Sequence, residues 1–307
     1  MNTHHLESAP DTVTEVFCRD LAPVLTVDPG DRLVVHSLDA SGHLERQLTP
    51  GETRPLMFPA KRGHCLCGPI AVRGAAAGLV LAVHLIELRP DSWGWTAAAV
   101  RDTELNRRLG VLENGPSWLL WELDADRLIG TDNHAHRRKL SPFLGVIGMP
   151  PDEPGEHSTV PPRAAGGGNI DCKSLTAGST LYLPVTVPDA LLCVGDGHAA
   201  QGDGEVSGTA IECGMTTTMT IDLLPEAPVN GIHAVTPAGR ITFGFDRDLN
   251  EAMISALDAM LTWMQSLFCL KRSDALALAS STVDLRITQV ANDVWGVHAV
   301  LPNDVIG

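Results

Sequence analysis

The sequence is short of positive charge. Its 307 residues carry 22 Lys and Arg against 37 Asp and Glu, a formal net charge of −15. A chain of that balance has no basic stripe with which to neutralise a phosphate backbone, which excludes nucleic acid as a working partner. The charge does not by itself select a substrate. No apolar run approaches the ~18–20 residues that span a bilayer as a helix, so no membrane partner is expected. The opening MNTHHLESAPDT lacks the basic and apolar regions of a secretory signal. The seven cysteines, Cys18, Cys65, Cys67, Cys172, Cys193, Cys213 and Cys269, are odd in number and scattered, so no disulfide framework is expected. Reduced thiols and a cytoplasmic location follow as expectations. Two signatures of covalent hydrolysis are also missing: there is no GxSxG elbow and no convincing SxxK.

What is present is apolar and strand-like. At 44% hydrophobic residues, the chain can bury a sizeable core as one large domain or as two to three smaller ones. Residues 1–10 read as a frayed tail. From Thr12 onward, TVTEVFCRD, APVLTVDPGD and RLVVHSLDAS are short runs rich in Val, Leu and Thr, with a turn at Asp28–Asp31. The clearest helix is Asp248–Leu270, whose apolar residues recur at helical spacing behind the N-cap Asp248. A second helix is expected with Ser273 as its N-cap, followed by a closing hairpin. The expected fold is mainly β: a β-sandwich or barrel body with a small C-terminal α+β portion. The expected divisions are an N-terminal β-sandwich region (1–140), a central β region carrying the site loops (141–225) and a C-terminal α+β region (226–307).

The chemistry concentrates between Gly166 and Glu212. GGGNID at Gly166–Asp171 and GDGHAAQGDGE at Gly195–Glu205 flank an apolar, β-branched stretch. The second cluster packs four glycines, two aspartates, a histidine, a glutamine and a glutamate into eleven residues. Glycines let a backbone approach a ligand, carboxylates and imidazole supply metal and acid–base chemistry, and loops held by rigid strands are where sites sit. Asp196, His198, Gln201, Asp203 and Glu205 are therefore candidates. The Pro- and Gly-rich segment running from Ser141 into this stretch is expected as a lid or wall. Asp39 ends a strand-like run with Gly42 close behind, a position that suits either a ligand or a turn-capping Asp. His64 is a further pocket candidate. Trp93, Trp95, Trp118 and Trp121 suit core packing better than a pocket. His134 and His136 sit beside Arg137, Arg138 and Lys139, which would repel a cation, and read as a solvated hairpin.

GGNIDCKSLTAGSTLYLPVTVPDALLCVGDGHAAQGDGEVSGTAIE resembles the signature of the acetamidase/formamidase family. GPIAVRGAAAGLVLAVHL (Gly68–Leu85), SPFLGVIGMPP (Ser141–Pro151) and SDALALASSTVDLRITQV (Ser273–Val290) are similar to that family in its usual order, so the resemblance covers nearly the whole chain. It implies a mainly-β fold, a homo-oligomer, and hydrolysis of formamide, acetamide or similar short amides to ammonia and the carboxylic acid. It also implies an Asp at position 39 in metal or catalytic use. The chain departs from the family at Ala76, Ala77, Gly78 and Leu79, where the pattern carries an acid, Pro, Gly and Asp.

Hydrolysing an unactivated amide takes either a covalent nucleophile with a base or a metal with a proton-carrying carboxylate. Cys172 beside Asp171 offers the first, with His198 as base, although Cys172 suits a buried core position equally. The acid-rich loop favours the second, because carboxylates oppose thiolate formation. The expected site is a divalent metal, Zn²⁺ and/or Ca²⁺, held by Asp39, Asp171 and His198 with Asp196 as a further ligand. Glu205 or Asp203 serves as general base, and Gln201 and Asn169 hydrogen-bond the amide. The alternatives are an amidase of larger or cyclic amides and a non-catalytic metal- or ligand-binding β protein on the same scaffold.

Overall fold

Two long strands form the spine of the molecule, which is a computed structural model describing residues 1–303 and 305. Val80–Ala98 and Glu212–Leu224 pair antiparallel from Glu212↔Trp95 to Leu224↔Val80. Glu212–Leu224 is mostly buried as far as Ile221, while burial along Val80–Ala98 is irregular, with exposed positions at Ile86, Glu87, Arg89 and Ser92. Arg32–Ser37 adds to the free edge of Glu212–Leu224, and Ser117–Asp124 to the far half of Val80–Ala98.

A second group is buried on both faces. Leu192–His198 pairs antiparallel with Phe143–Gly148, with Leu66–Val72 and with the start of Glu212–Leu224. All residues of the first three strands are buried, which explains their near-continuous apolar character. The protein is mainly β, as expected. The pairings make an open, branched sheet, and no ring of them closes into a barrel among the described residues.

The N-terminus is not frayed. Thr3–Glu7 pairs parallel with Arg32–Ser37. Asp31 anchors it, accepting from the Asn2 amide at 2.6 Å and contacting His4 Nε2 at 2.8 Å. Composition alone did not reveal this edge pairing.

At the C-terminal end, Leu249–Phe268 is the long helix, capped by the Asp248 side chain accepting from the Asn250 amide. Its buried stripe of Ala252, Ala256, Met260 and Met264 packs on Val297, Ala299 and Leu301. Gly244 makes the close approach possible, because a Cβ there would lie 2.0 Å from the Ala252 carbonyl. The second helix is Arg272–Thr282, and its N-cap position is Lys271, with no side-chain cap bond. Ser273 lies inside the first turn because the left-handed Cys269 ends the first helix and the chain re-enters helix three residues later. No single helix among the described residues is long and apolar enough to cross a membrane.

The closing hairpin, Asp284–Gln289 with Trp295–Pro302, also reaches back to the central loops. Gly204 bridges to Gln289, and the Gly204 amide donates to the Thr288 carbonyl at 3.1 Å. Behind this junction, buried His298 bonds Thr288 Oγ1 at 2.8 Å.

Burial pushes the His298 pKa down from 6.5 to about 4. A depressed folded-state value means stability that is complete above pH 6.5 and lost as the pH falls towards 4. Integrated from neutrality to pH 5, this is about 2 kcal/mol. His298→Asn removes the titration and leaves Thr288 a partner. Urea unfolding at pH 7 and pH 5 is expected to show a smaller pH-dependent loss for the variant than for the unsubstituted protein, by about that amount.

Candidate active site

Sheet register builds the site. Phe143 lies opposite His198, His198 opposite Glu212, and Glu212 opposite Trp95. Residues directly opposite across antiparallel strands project to the same face, so one row carries an aromatic, an imidazole, a carboxylate and an indole. The Phe143 ring meets His198 edge-on at 5.0 Å. Asp196, one turn of the pleat before His198, places Oδ1 3.2 Å from His198 Nε2. Asp171 enters from the segment after Gly167–Asn169, and Glu205 from the loop after Ala200. Asp171, Asp196 and Glu205 all sit in the left-handed region, at φ 51, 61 and 45. Such backbone persists for non-glycine residues only where the surroundings impose it, and it gathers at functional sites.

The acids converge over Gly145. A Cβ at that position would lie 2.3 Å from Asp196 Oδ2, 2.6 Å from Asp171 Oδ1 and 2.9 Å from His198 Cε1. Only a glycine leaves the carboxylates this floor. Asp171, Asp196 and His198 offer ligand atoms all within 4.8 Å of one another, and so do His198, Glu205 and Glu212.

Gln201 fixes a proton on His198 Nδ1. The Gln201 amide nitrogen donates to the Asp171 carbonyl at 2.7 Å, which leaves Gln201 Oε1 to accept from His198 Nδ1–H at 2.9 Å. Nε2 is then the nitrogen facing the acids. It is aimed at Asp196, so Glu212 Oε2, 3.3 Å away, is left without a hydrogen bond. Neither oxygen of Asp171 accepts a bond of normal geometry from any described residue, although Glu205 stands beside it. A buried carboxylate with no donor is costly unless it is protonated or meets a cation.

The electrostatics follow. Burial pushes Asp171 well above the usual carboxylate range, with Asp196 and Glu212 adding repulsion. Burial and Asp171 do the same to Glu205, and burial lifts Glu212 to about 7. Asp196 resists burial and stays low because His198 and His64 face it. Burial opposes charge on His198, but Glu212 and Asp196 outweigh it and raise its pKa well above normal. This donor set, one imidazole and several crowded carboxylates, fits a divalent cation. Asp171's oxygens are the part of it that no described residue satisfies with a hydrogen bond of normal geometry.

A cavity of about 170 Å³ opens onto the cluster, lined among others by His64, Trp95, Asn169, Asp171, Asp196, Glu205 and Glu212. Asn169 donates to the Val160 carbonyl, and its buried Oδ1 has no partner. The segment between Met149 and Gly166 contributes Val160 to the wall, while Ala291 and Asn292 of the closing hairpin contribute another side.

Several expected residues lie elsewhere. Asp39 is outside the cluster: its oxygens are taken by Trp95 Nε1 and by the His43 ring and amide. Asp203 does not line the cavity and pairs with Lys173 at 2.8 Å. Gln201 spends both ends on His198 and Asp171, so it orients the imidazole. Cys172 is buried in the main core with its thiol pushed up to about 12 by burial, which removes it as a nucleophile. Ala76 to Leu79 form a turn that does not line the cavity. Glu212 was not singled out in the sequence. It heads a run that is otherwise uncharged as far as Ile221, and its pairing with the strand of His198 is what marks it.

The fold and cluster together define an open mainly-β scaffold with a buried carboxylate–histidine centre. The chain belongs to the acetamidase/formamidase family, whose model matches residues 2–157 and 153–306. It is 49% identical over 265 residues to the acetamidase of Mycolicibacterium smegmatis, covering 67% of this chain and 64% of that one. It is 28% identical over 238 residues to the formamidase of Methylophilus methylotrophus, covering 61% and 58%. The chain spans about three fifths of the length of the curated relatives it matches. The crystal structure of an acetamidase from Bacillus halodurans superposes with a TM-score of 0.86 over 97% of each chain, at 25% identity.

Gly145→Ala tests the floor of the cluster. The added methyl displaces Asp171 and Asp196, and Zn²⁺ affinity measured by titration is expected to fall about 10–100-fold, with the far-ultraviolet circular dichroism unchanged.

Proposed function

We propose that the protein hydrolyses short aliphatic amides to ammonia and the carboxylic acid with the help of a divalent cation. The observation that carries this reading is the cavity of about 170 Å³ in which Asp171 presents two bare oxygens beside Asp196 and His198. Pockets for drug-sized ligands run to about 300–1,000 Å³, so this one suits an amide of a few heavy atoms and a water better than a larger or cyclic amide. Relatives named acetamidase and formamidase support the same substrate class.

Asp171, Asp196 and His198 Nε2 would hold the cation, with Gln201 fixing the imidazole so that its Nε2 lone pair faces inward. A bound Zn²⁺ or similar ion supplies Lewis acidity towards a carbonyl and towards water. Glu205 accepts the proton of the attacking water and returns it to the departing ammonia. Glu212, the second carboxylate beside His198, relays that proton or holds it between steps. Asn169 Oδ1 accepts from the substrate NH₂, which sets the amide's direction. The buried walls keep bulk water from the reacting atoms.

Ammonia release from formamide and acetamide, with and without chelator and with Zn²⁺ or Ca²⁺ restored, tests the reading directly. Chelator-sensitive release is the expected outcome. Absence of release from the metal-replete protein would favour a binding protein on this scaffold. Glu205→Gln is expected to lower kcat about 10²–10⁴-fold while metal content measured by mass spectrometry is retained. Near-normal turnover in that variant would remove Glu205 from the base role.

A further inference from the structure

Asp39 is a fully engaged buried acid that the cluster does not use. Its Oδ2 accepts from Trp95 Nε1 at 2.9 Å and from His43 Nδ1 at 2.9 Å, and its Oδ1 accepts from the His43 amide at 3.1 Å. Bonds to an ionised acceptor are about twice as strong as neutral ones, so the indole N–H is held firmly. His43 meets the Trp95 ring edge-on at 5.8 Å, and Trp118 packs against it at 5.4 Å. A side chain with two rotatable bonds, tied at its polar edge and flanked by two rings, does not yield.

That fixed indole is the largest apolar side chain lining the cavity. The other apolar side chains there are Ala40, Val160 and Ala291. Trp95 also lies directly opposite Glu212 in the ladder. An amide whose polar end meets Asn169 Oδ1 and the acids has its alkyl end left for an apolar surface, and Trp95 provides it. We propose that Trp95, clamped by Asp39 and His43, is the specificity-determining wall that limits the substrate to short acyl chains, with Asp39 as its positioning residue. This inference rests on the amide-hydrolase reading.

The test is kcat/KM for formamide, acetamide, propionamide, butyramide and valeramide in the metal-replete protein and in Trp95→Ala, Trp95→Phe and Asp39→Asn. The quantity read is the butyramide-to-acetamide ratio, in which the fraction of active protein cancels. One methylene in an apolar pocket is worth about 10–200-fold in discrimination. Trp95→Ala is expected to raise the ratio at least about tenfold. Trp95→Phe and Asp39→Asn are expected to raise it less, and chiefly by lowering KM for the longer amides. Should Trp95→Ala fail to fold, the other two variants carry the comparison. An unsubstituted protein that hydrolyses acetamide alongside folded variants with its own ratio would overturn the inference alone. An unsubstituted protein inert on all five amides would overturn the hydrolase reading and this inference with it.

Discussion

The structure depends on keeping several acids out of water around one imidazole. Asp171, Asp196, Glu205, Glu212 and His198 are each at most 6% exposed. Removing one charge from water costs several kcal/mol even after relaxation, and neighbouring acids repel. The surroundings are built to absorb this. Strands buried on both faces hold His198 and Asp196, Gln201 fixes the ring, a glycine floor gives the carboxylates room, and left-handed backbone aims three of the acids inward. Even so, Asp171 has no donor among the described residues, and the proposed cation would answer that residual imbalance.

Chain order does not reveal how the centre is assembled. His198 and Glu212 come from adjacent paired strands, Asp171 from a loop, and Glu205 from a second loop that needs outside support. The C-terminal hairpin gives that support through the Gly204–Gln289 bridge. Gln289 then pins its own turn, accepting from the Ala291 amide at 2.8 Å and donating to the Val294 carbonyl at 2.7 Å. Since Ala291 and Asn292 line the cavity, the α+β end of the chain is part of the pocket. The two helices stiffen the sheet that presents it.

Local signals carried much of the reading, and long-range ones did not. The Gly195–Glu205 run advertised itself by composition, because an acid-, Gly- and His-rich segment following a buried strand has few bland explanations. The Asp248 cap and the apolar stripe of the long helix are properties of twenty consecutive residues and were equally plain. Glu212 was invisible for the opposite reason: its meaning comes from lying opposite His198 and Trp95, which only strand register supplies. The parallel pairing of Thr3–Glu7 likewise rests on a partner almost thirty residues away. The helix start at Lys271 depended on where the previous helix stopped, not on Ser273's own preference.

Asp39 and Asp171 show why residue type alone misassigns buried acids. Both are aspartates beside the same cavity, and both are almost fully buried. They differ in donors. Asp39 receives three hydrogen bonds, two of them from side chains that lie beside it in space, so its charge is already answered and it has nothing left to offer a cation. Asp171 receives none on either oxygen from any described residue. A carboxylate satisfied by donors orients its neighbours, whereas one left bare in the same environment must hold a proton or meet a cation. The donor count therefore sorts the acids into those already answered by hydrogen bonds and those left open to a proton or a cation. In the proposed reading Asp39 holds the wall through Trp95, and the chemistry falls to the group over Gly145.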